Sequence, residues 1–200
     1  MWYIIFADGE GQFESFSAIT QRSLVHALME SGVQLDPTQM DDMMKAYDDL
    51  STFPDVPPAL KKLANDDSVT AVVFSNGTQN MVTNSVTQSS DLAPHANVFQ
   101  DIIVVSDTKK FKPQHEVYHY LAAKVGKKMS QTNEMWLVSG NPFDIVGAKA
   151  VGMNAAWVDR AGQGWQDQLI QGEAGKPTII LSGLEDVVEK VKAHAPGSWP

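Results

Sequence analysis

Three short stretches carry side chains that can do chemistry as a set. They are Ser75-Asn76-Gly77, then Phe111-Lys112-Pro113 with Tyr118 further along, and then Ser139-Gly140-Asn141-Pro142-Phe143-Asp144. Ser75 and Asn76 offer a hydroxyl and an amide to the oxygens of an anion, and backbone N–H groups at a helix start add to them. Lys112 supplies a fixed positive charge. Asp144 can hold Lys112 in place and orient a water. Such a set is an oxyanion cradle, which stabilises negative charge developing in substitution at carbon or phosphorus. Each stretch also has a plain use. Ser-Asn-Gly is a common turn, a lysine before proline suits a solvated loop, Ser139 and Asn141 can cap the helix after Pro142, and Tyr118 can pack. Their order, each at a strand end or in a loop, is what points to chemistry.

The elements that must position them follow from periodicity. Phe16, Ile19, Leu24 and Leu28 predict a helix from Phe16 to about Ser31, stopped by Gly32. Asp36 caps a second helix with Pro37 at its first position, running to about Leu50. Pro57-Pro58 opens a third helix through Leu63. From Ser68 the texture changes. Val69–Phe74 reads as a buried strand ending in a turn, and Asp101–Val105 as a second extended run. Gln114–Val125 is helical, Glu134–Val138 a strand, Phe143–Val151 a helix closed by Gly152, and Asn154–Val158 a strand. Gly162–Gly175 is a polar loop, followed by a strand over Lys176–Leu181 and a helix over Leu184–Ala193. This alternation predicts an α/β fold, a parallel sheet wrapped by helices, with a helical subdomain before it. The expected division is residues 1–55 and 56–200, with the boundary near Thr52–Pro58. In such sheets the ligand lies beyond the carboxyl ends of the strands, where the three stretches fall.

Composition narrows the function classes. The chain has 200 residues, 15 Lys+Arg against 24 Asp+Glu, and a net charge of −9. At that length a chain buries roughly 70% of its unfolded surface and needs no staples. The acid excess argues against a nucleic-acid or anionic-membrane partner, since both call for clustered basic residues. With no cysteine, disulfides, thiol catalysis and cysteine-ligated zinc are excluded. No apolar run approaches the roughly 18 residues of a membrane span. The expectation is a cytoplasmic protein.

On the residues quoted, the sequence resembles the haloacid dehalogenase superfamily, and more narrowly the type II L-2-haloacid dehalogenases. Val72–Gly77, Phe111–Pro113 with Glu116-Val117-Tyr118, and Leu137–Asp144 leading into Gly147-Ala148-Lys149 carry the resemblance. Ala46-Tyr47 and Thr52–Asp55 look like that group's helical cap and its return to a Rossmann-like core. The resemblance implies that Ser75 and Asn76 bind the substrate carboxylate and oxyanion. It implies that Lys112 pairs with a nucleophilic carboxylate, that Tyr118 is the family's tyrosine near that lysine, and that Ser139, Asn141 and Asp144 position the hydrolytic water. Phe16 and Phe143 match aromatic positions on the apolar side of the substrate pocket. An aspartate would displace halide from C2 of a small (S)-2-haloacid with inversion, and water would hydrolyse the ester. The substrate is then a small carboxylate. The family's phosphatases typically carry an Asp where this chain has Gly140 followed by Asn141. A hard cation wants several anionic oxygens, so the resemblance implies metal-free, cofactor-free chemistry. It also suggests a homodimer.

Two readings of the start stay open. In one, Ile4–Gly11 is the first strand, with Asp8 as nucleophile and Glu10 a second carboxylate, although Gln12 and Phe13 stand where Thr and Leu should follow. In the other, Phe13–Leu24 matches the middle of the cap, and the nucleophile strand and the cap arginine are absent. The register of Phe13, Phe16, Thr20 and Leu24 favours the second, under which this chain alone has little dehalogenase activity. The competing functions are a Mg²⁺-dependent phosphatase and a non-catalytic protein that holds a carboxylate or phosphate. His115 and His119 could share a helix face and a metal, but no third ligand is evident. Met40, Met43 and Met44 suit core packing.

Overall fold

The structure is a computed structural model that describes residues 13–48, 51–168 and 170–194. The chain forms two compact units, Met1–Thr52 with Val72–Phe111, and Phe53–Ala71 with Lys112–Pro200. Among the described residues no helix is long and apolar enough to cross a membrane.

In the first unit, helix α1 spans Phe16–Glu30 and buries Ile19. The Ser15 hydroxyl oxygen accepts the Ala18 N–H at its start, 3.2 Å away. Helix α2 spans Pro37–Lys45 behind a reciprocal capping box. There Asp36 Oδ1 accepts the Gln39 N–H at 2.9 Å, and Gln39 Oε1 accepts the Asp36 N–H at 3.0 Å. The expected extension to Leu50 is instead a 3₁₀ turn over Ala46–Asp48, the tightening usual at helix ends; residues 49 and 50 lie outside the described residues. Met40 and Met44 are half-buried and Met43 is exposed, so the methionines only partly pack.

Strand β1 (Ala71–Ser75) pairs with β2 (Phe99–Val104). The second strand starts before Asp101, and Val105–Thr108 turns into a 3₁₀ segment, where Thr108 Oγ1 donates to the Val105 carbonyl at 2.7 Å. Between the strands lies helix α3, Gln79–Thr87, which periodicity did not signal. It buries only Val82 and Val86, and its polar and β-branched residues are weak helix formers. Its N-cap, Thr78, and packing set it: Val82, Val86 and Val104 form a core with Val73, Phe99 and Ile102 against it.

In the second unit, helix α4 (Val56–Leu63) opens with Pro57 and Pro58 in its first turn. It is followed by α5 (His115–Lys124), β3 (Trp136–Ser139), α6 (Pro142–Ala150), β4 (Asn154–Val158), β5 (Ile179–Leu181) and α7 (Val187–His194). The three strands form a sheet in the order β3-β4-β5 with both pairs parallel, Leu137 opposite Ala155 and Trp157 opposite Ile180. This is the parallel α/β arrangement expected. Gly152, at φ +81°, closes α6 as expected.

Two elements are shorter than periodicity suggests. The last strand begins at Ile179, because Thr178 Oγ1 takes the Ala155 N–H that a ladder carbonyl would otherwise accept, at 3.0 Å. The last helix begins at Val187, and upstream of it the Leu184 N–H is held by the Asp55 carboxylate at 2.9 Å. Asp55 is buried and takes three bonds from Arg160, two from Nε at 2.9 and 3.1 Å and one from Nη2 at 2.7 Å. Arg160 lies over the Phe53 ring, 4.2 Å from its centroid. The core joins Ala156, Val158 and Leu181 from the sheet to Val187, Val188 and Val191 of α7.

Candidate active site

The second unit brings four of the expected residues together. Strand β3 ends at Ser139, and the chain turns through Gly140 and Asn141 into α6, whose first turn carries Asp144. The Ser139 hydroxyl donates to Asp144 Oδ2 at 2.9 Å and accepts the Asn141 N–H at 3.0 Å. Lys112, at the start of the segment leading into α5, sets its Nζ 3.2 Å from Asp144 Oδ1. On α5, the Tyr118 hydroxyl donates to the Asp144 main-chain carbonyl at 3.3 Å. Lys112, Asp144 and Tyr118 are 8%, 4% and 0% exposed.

Burial sets the electrostatics. Desolvation pulls the Lys112 ammonium below the ordinary lysine value, and the charge of Asp144 opposes that shift. Burial pushes the Tyr118 phenol up, and the Asp144 charge adds to it, so the hydroxyl keeps its proton and acts as a donor. Asp144 Oδ1 is buried and, although ion-paired, receives no hydrogen bond among the described residues. A carboxylate oxygen in that state can take the proton of a water.

Asn141 and Phe143 flank this cluster. The capping role open to Ser139 and Asn141 is not the one found: α6 has Asn141 at its N-cap position but no side-chain cap bond. Pro142 at its first position removes one N–H in need of a cap, and the Ser139 proton goes to Asp144 instead. The Asn141 side chain is exposed and Phe143 is half-buried.

Ser75, Asn76 and Phe16 belong to the first unit. Ser75 ends β1, and its hydroxyl oxygen accepts the Gly77 N–H at 3.0 Å. Asn76 is buried. Phe16 lies beside Phe111 with ring centroids 6.2 Å apart, and Phe13 stacks on the same ring at 5.2 Å. Phe111 itself is 2% exposed. The aromatic run of Phe13, Phe16 and Phe111 is a grouping the sequence reading did not make. Its only signal is an aromatic residue directly before Lys112.

His115 and His119 are exposed on α5. Among the described residues, no three His, Asp or Glu side chains stand close enough to hold a metal ion. Asp8 and Glu10 lie outside the described residues.

Residues 9–158 match the family model described as haloacid dehalogenase-like hydrolase. The chain is 29% identical over 187 residues to the (S)-2-haloacid dehalogenase of Xanthobacter autotrophicus, covering 93% of this chain and 69% of that protein. It is 28% identical to (S)-2-haloacid dehalogenase 4A of Burkholderia cepacia, covering 76% of this chain and 62% of that protein. The chain thus spans about two thirds of these relatives. The solved L-2-haloacid dehalogenase from Xanthobacter autotrophicus superposes with a TM-score of 0.80 at 25% identity, over 97% of this chain and 82% of that one. The same holds for that enzyme with chloropropionic acid covalently bound.

Proposed function

The chain belongs to the haloacid dehalogenase-like hydrolase family, and from that premise we propose that its site serves hydrolytic removal of halide from a small (S)-2-haloacid. The observation that carries this reading is the buried Lys112–Asp144–Ser139 cluster, with Asp144 Oδ1 open to a further hydrogen bond. An attacking carboxylate displaces halide at C2 with inversion and forms an ester. A water, held by Asp144 with Ser139 and Asn141, then adds to the ester carbonyl and releases the 2-hydroxy acid. Lys112 balances the charge of the attacking carboxylate. Ser75 and Asn76 donate to the substrate carboxylate, and Phe16 and Phe143 face its apolar side. The same reading takes the protein as a cytoplasmic homodimer, residues 1–55 as the cap and 56–200 as the core.

Two observations favour halide over phosphate. Gly140 and Asn141 occupy positions where a second carboxylate would serve Mg²⁺, and Asp144 already faces Lys112. Chloride release from (S)-2-chloropropionate by the full chain tests the proposal. Release that Asp8→Asn abolishes makes Asp8 the nucleophile. A chain that is thermally stabilised by the haloacid but releases no chloride is instead a carboxylate-binding relative without turnover. Phosphate release from p-nitrophenyl phosphate that depends on Mg²⁺ contradicts both.

A further inference from the structure

We infer that Gly147 is a positioning residue of this site: the space it leaves for the Tyr118 ring sets where the Asp144 carboxylate stands. The kinetic consequence rests on the dehalogenase reading, while the geometry does not. Gly147 lies on α6 three residues after Asp144, hence on the same helix face. A Cβ placed on it would lie 2.3 Å from the Tyr118 hydroxyl oxygen, 2.6 Å from Cζ and 2.7 Å from Cε2. Carbon atoms in contact sit about 3.5–4.0 Å apart, so the ring and any larger residue cannot share this place. Tyr118 is fully buried and cannot swing out to solvent.

Backbone conformation does not explain this glycine. Unlike Gly152, it is not among the residues with positive φ. It sits inside a helix, where alanine is the better helix former. What remains is the close approach. With no Cβ in the way, the ring closes on α6 and its hydroxyl reaches the Asp144 carbonyl. That contact holds the first turn of α6, and with it the carboxylate between Ser139 and Lys112. Tyr118 and Gly147 therefore form one device, and a methyl group at Gly147 is expected to act through Tyr118.

The test compares four full chains: unchanged, Gly147→Ala, Tyr118→Leu, and both. In Gly147→Ala, kcat for chloride release from (S)-2-chloropropionate is expected to fall about 10- to 100-fold with KM within about twofold. In the Tyr118→Leu background the same change is expected to have almost no further effect, because the ring it strikes is gone. A second readout needs no turnover: the titration midpoint of the Lys112 ammonium, followed by heteronuclear NMR. It is expected to move down in Gly147→Ala, as Asp144 leaves the lysine, and not to respond to that change in the Tyr118→Leu background. A chain that releases no chloride counts against the dehalogenase reading, and the NMR comparison then decides this inference. Equal effects of Gly147→Ala in both backgrounds, or an unaltered kcat and midpoint, overturn it. Should Gly147→Ala alone not fold, the double variant must fold; its failure also overturns the inference.

Discussion

Ser75 ends β1 and Ser139 ends β3, and each hydroxyl oxygen accepts the N–H two residues on, from Gly77 and Asn141, at 3.0 Å in both. The local turn is the same. The protons differ. Ser139 donates to Asp144 Oδ2, a buried carboxylate of the same unit. For Ser75 the bond found among the described residues is the one its oxygen accepts from Gly77. A single turn chemistry thus yields two kinds of residue. Ser139 holds the Asp144 carboxylate, whereas the proposed function has Ser75 donate to the substrate carboxylate. The backbone bond orients both hydroxyls, and among the described residues the Asp144 carboxylate as acceptor for Ser139 distinguishes the two.

Substitutions can break this contrast. The largest effect is expected at the acceptor itself. Asp144→Asn removes the negative charge beside buried Lys112 and, on the proposed function, the group that holds the water, so kcat for chloride release should fall about 10²–10⁴-fold. Ser139→Ala keeps Asp144 but frees its carboxylate to turn; a loss of about 10- to 100-fold in kcat, with KM little changed, is expected. Ser75→Ala should do the reverse, raising KM about tenfold with kcat nearly kept, the effect of one hydrogen bond to a charged ligand. If Ser75→Ala lowers kcat alone, the two turns share one role and the contrast fails. The smallest effect is in pH dependence. Burial lowers the Lys112 value, so its ammonium is lost at a pH below the ordinary lysine range. The alkaline limb of kcat should therefore lie below about 10.5, the ordinary lysine value. Lys112→Arg, which stays charged, should remove that limb, as a kcat–pH profile would reveal.

Much of this site is legible from spacing. β1 and β3 are apolar runs ended by small polar residues, and the short apolar runs mark strands of an α/β fold. The turns at Ser75 and Ser139 stand out because turn residues follow those runs directly. Other features depend on partners remote in the chain. Helix α3 has a weak helical composition, and tertiary packing of Val82 and Val86 decides it. The start of β5 is set by Thr178 Oγ1, which leaves no periodic signal. The clash at Gly147 involves a ring on a different helix, so the sequence shows Gly147 as part of a motif but not the packing that calls for it. Aromatic grouping around Phe111 is likewise a product of folding.

The most direct test of the dehalogenase reading is a paired assay on the full chain. Chloride release from (S)-2-chloropropionate and phosphate release from p-nitrophenyl phosphate are measured together, each with and without Mg²⁺. The account predicts chloride release that does not respond to Mg²⁺, with the 2-hydroxy acid formed in inverted configuration and no phosphate released. Phosphate release that requires Mg²⁺, with no chloride from the haloacid, would contradict it.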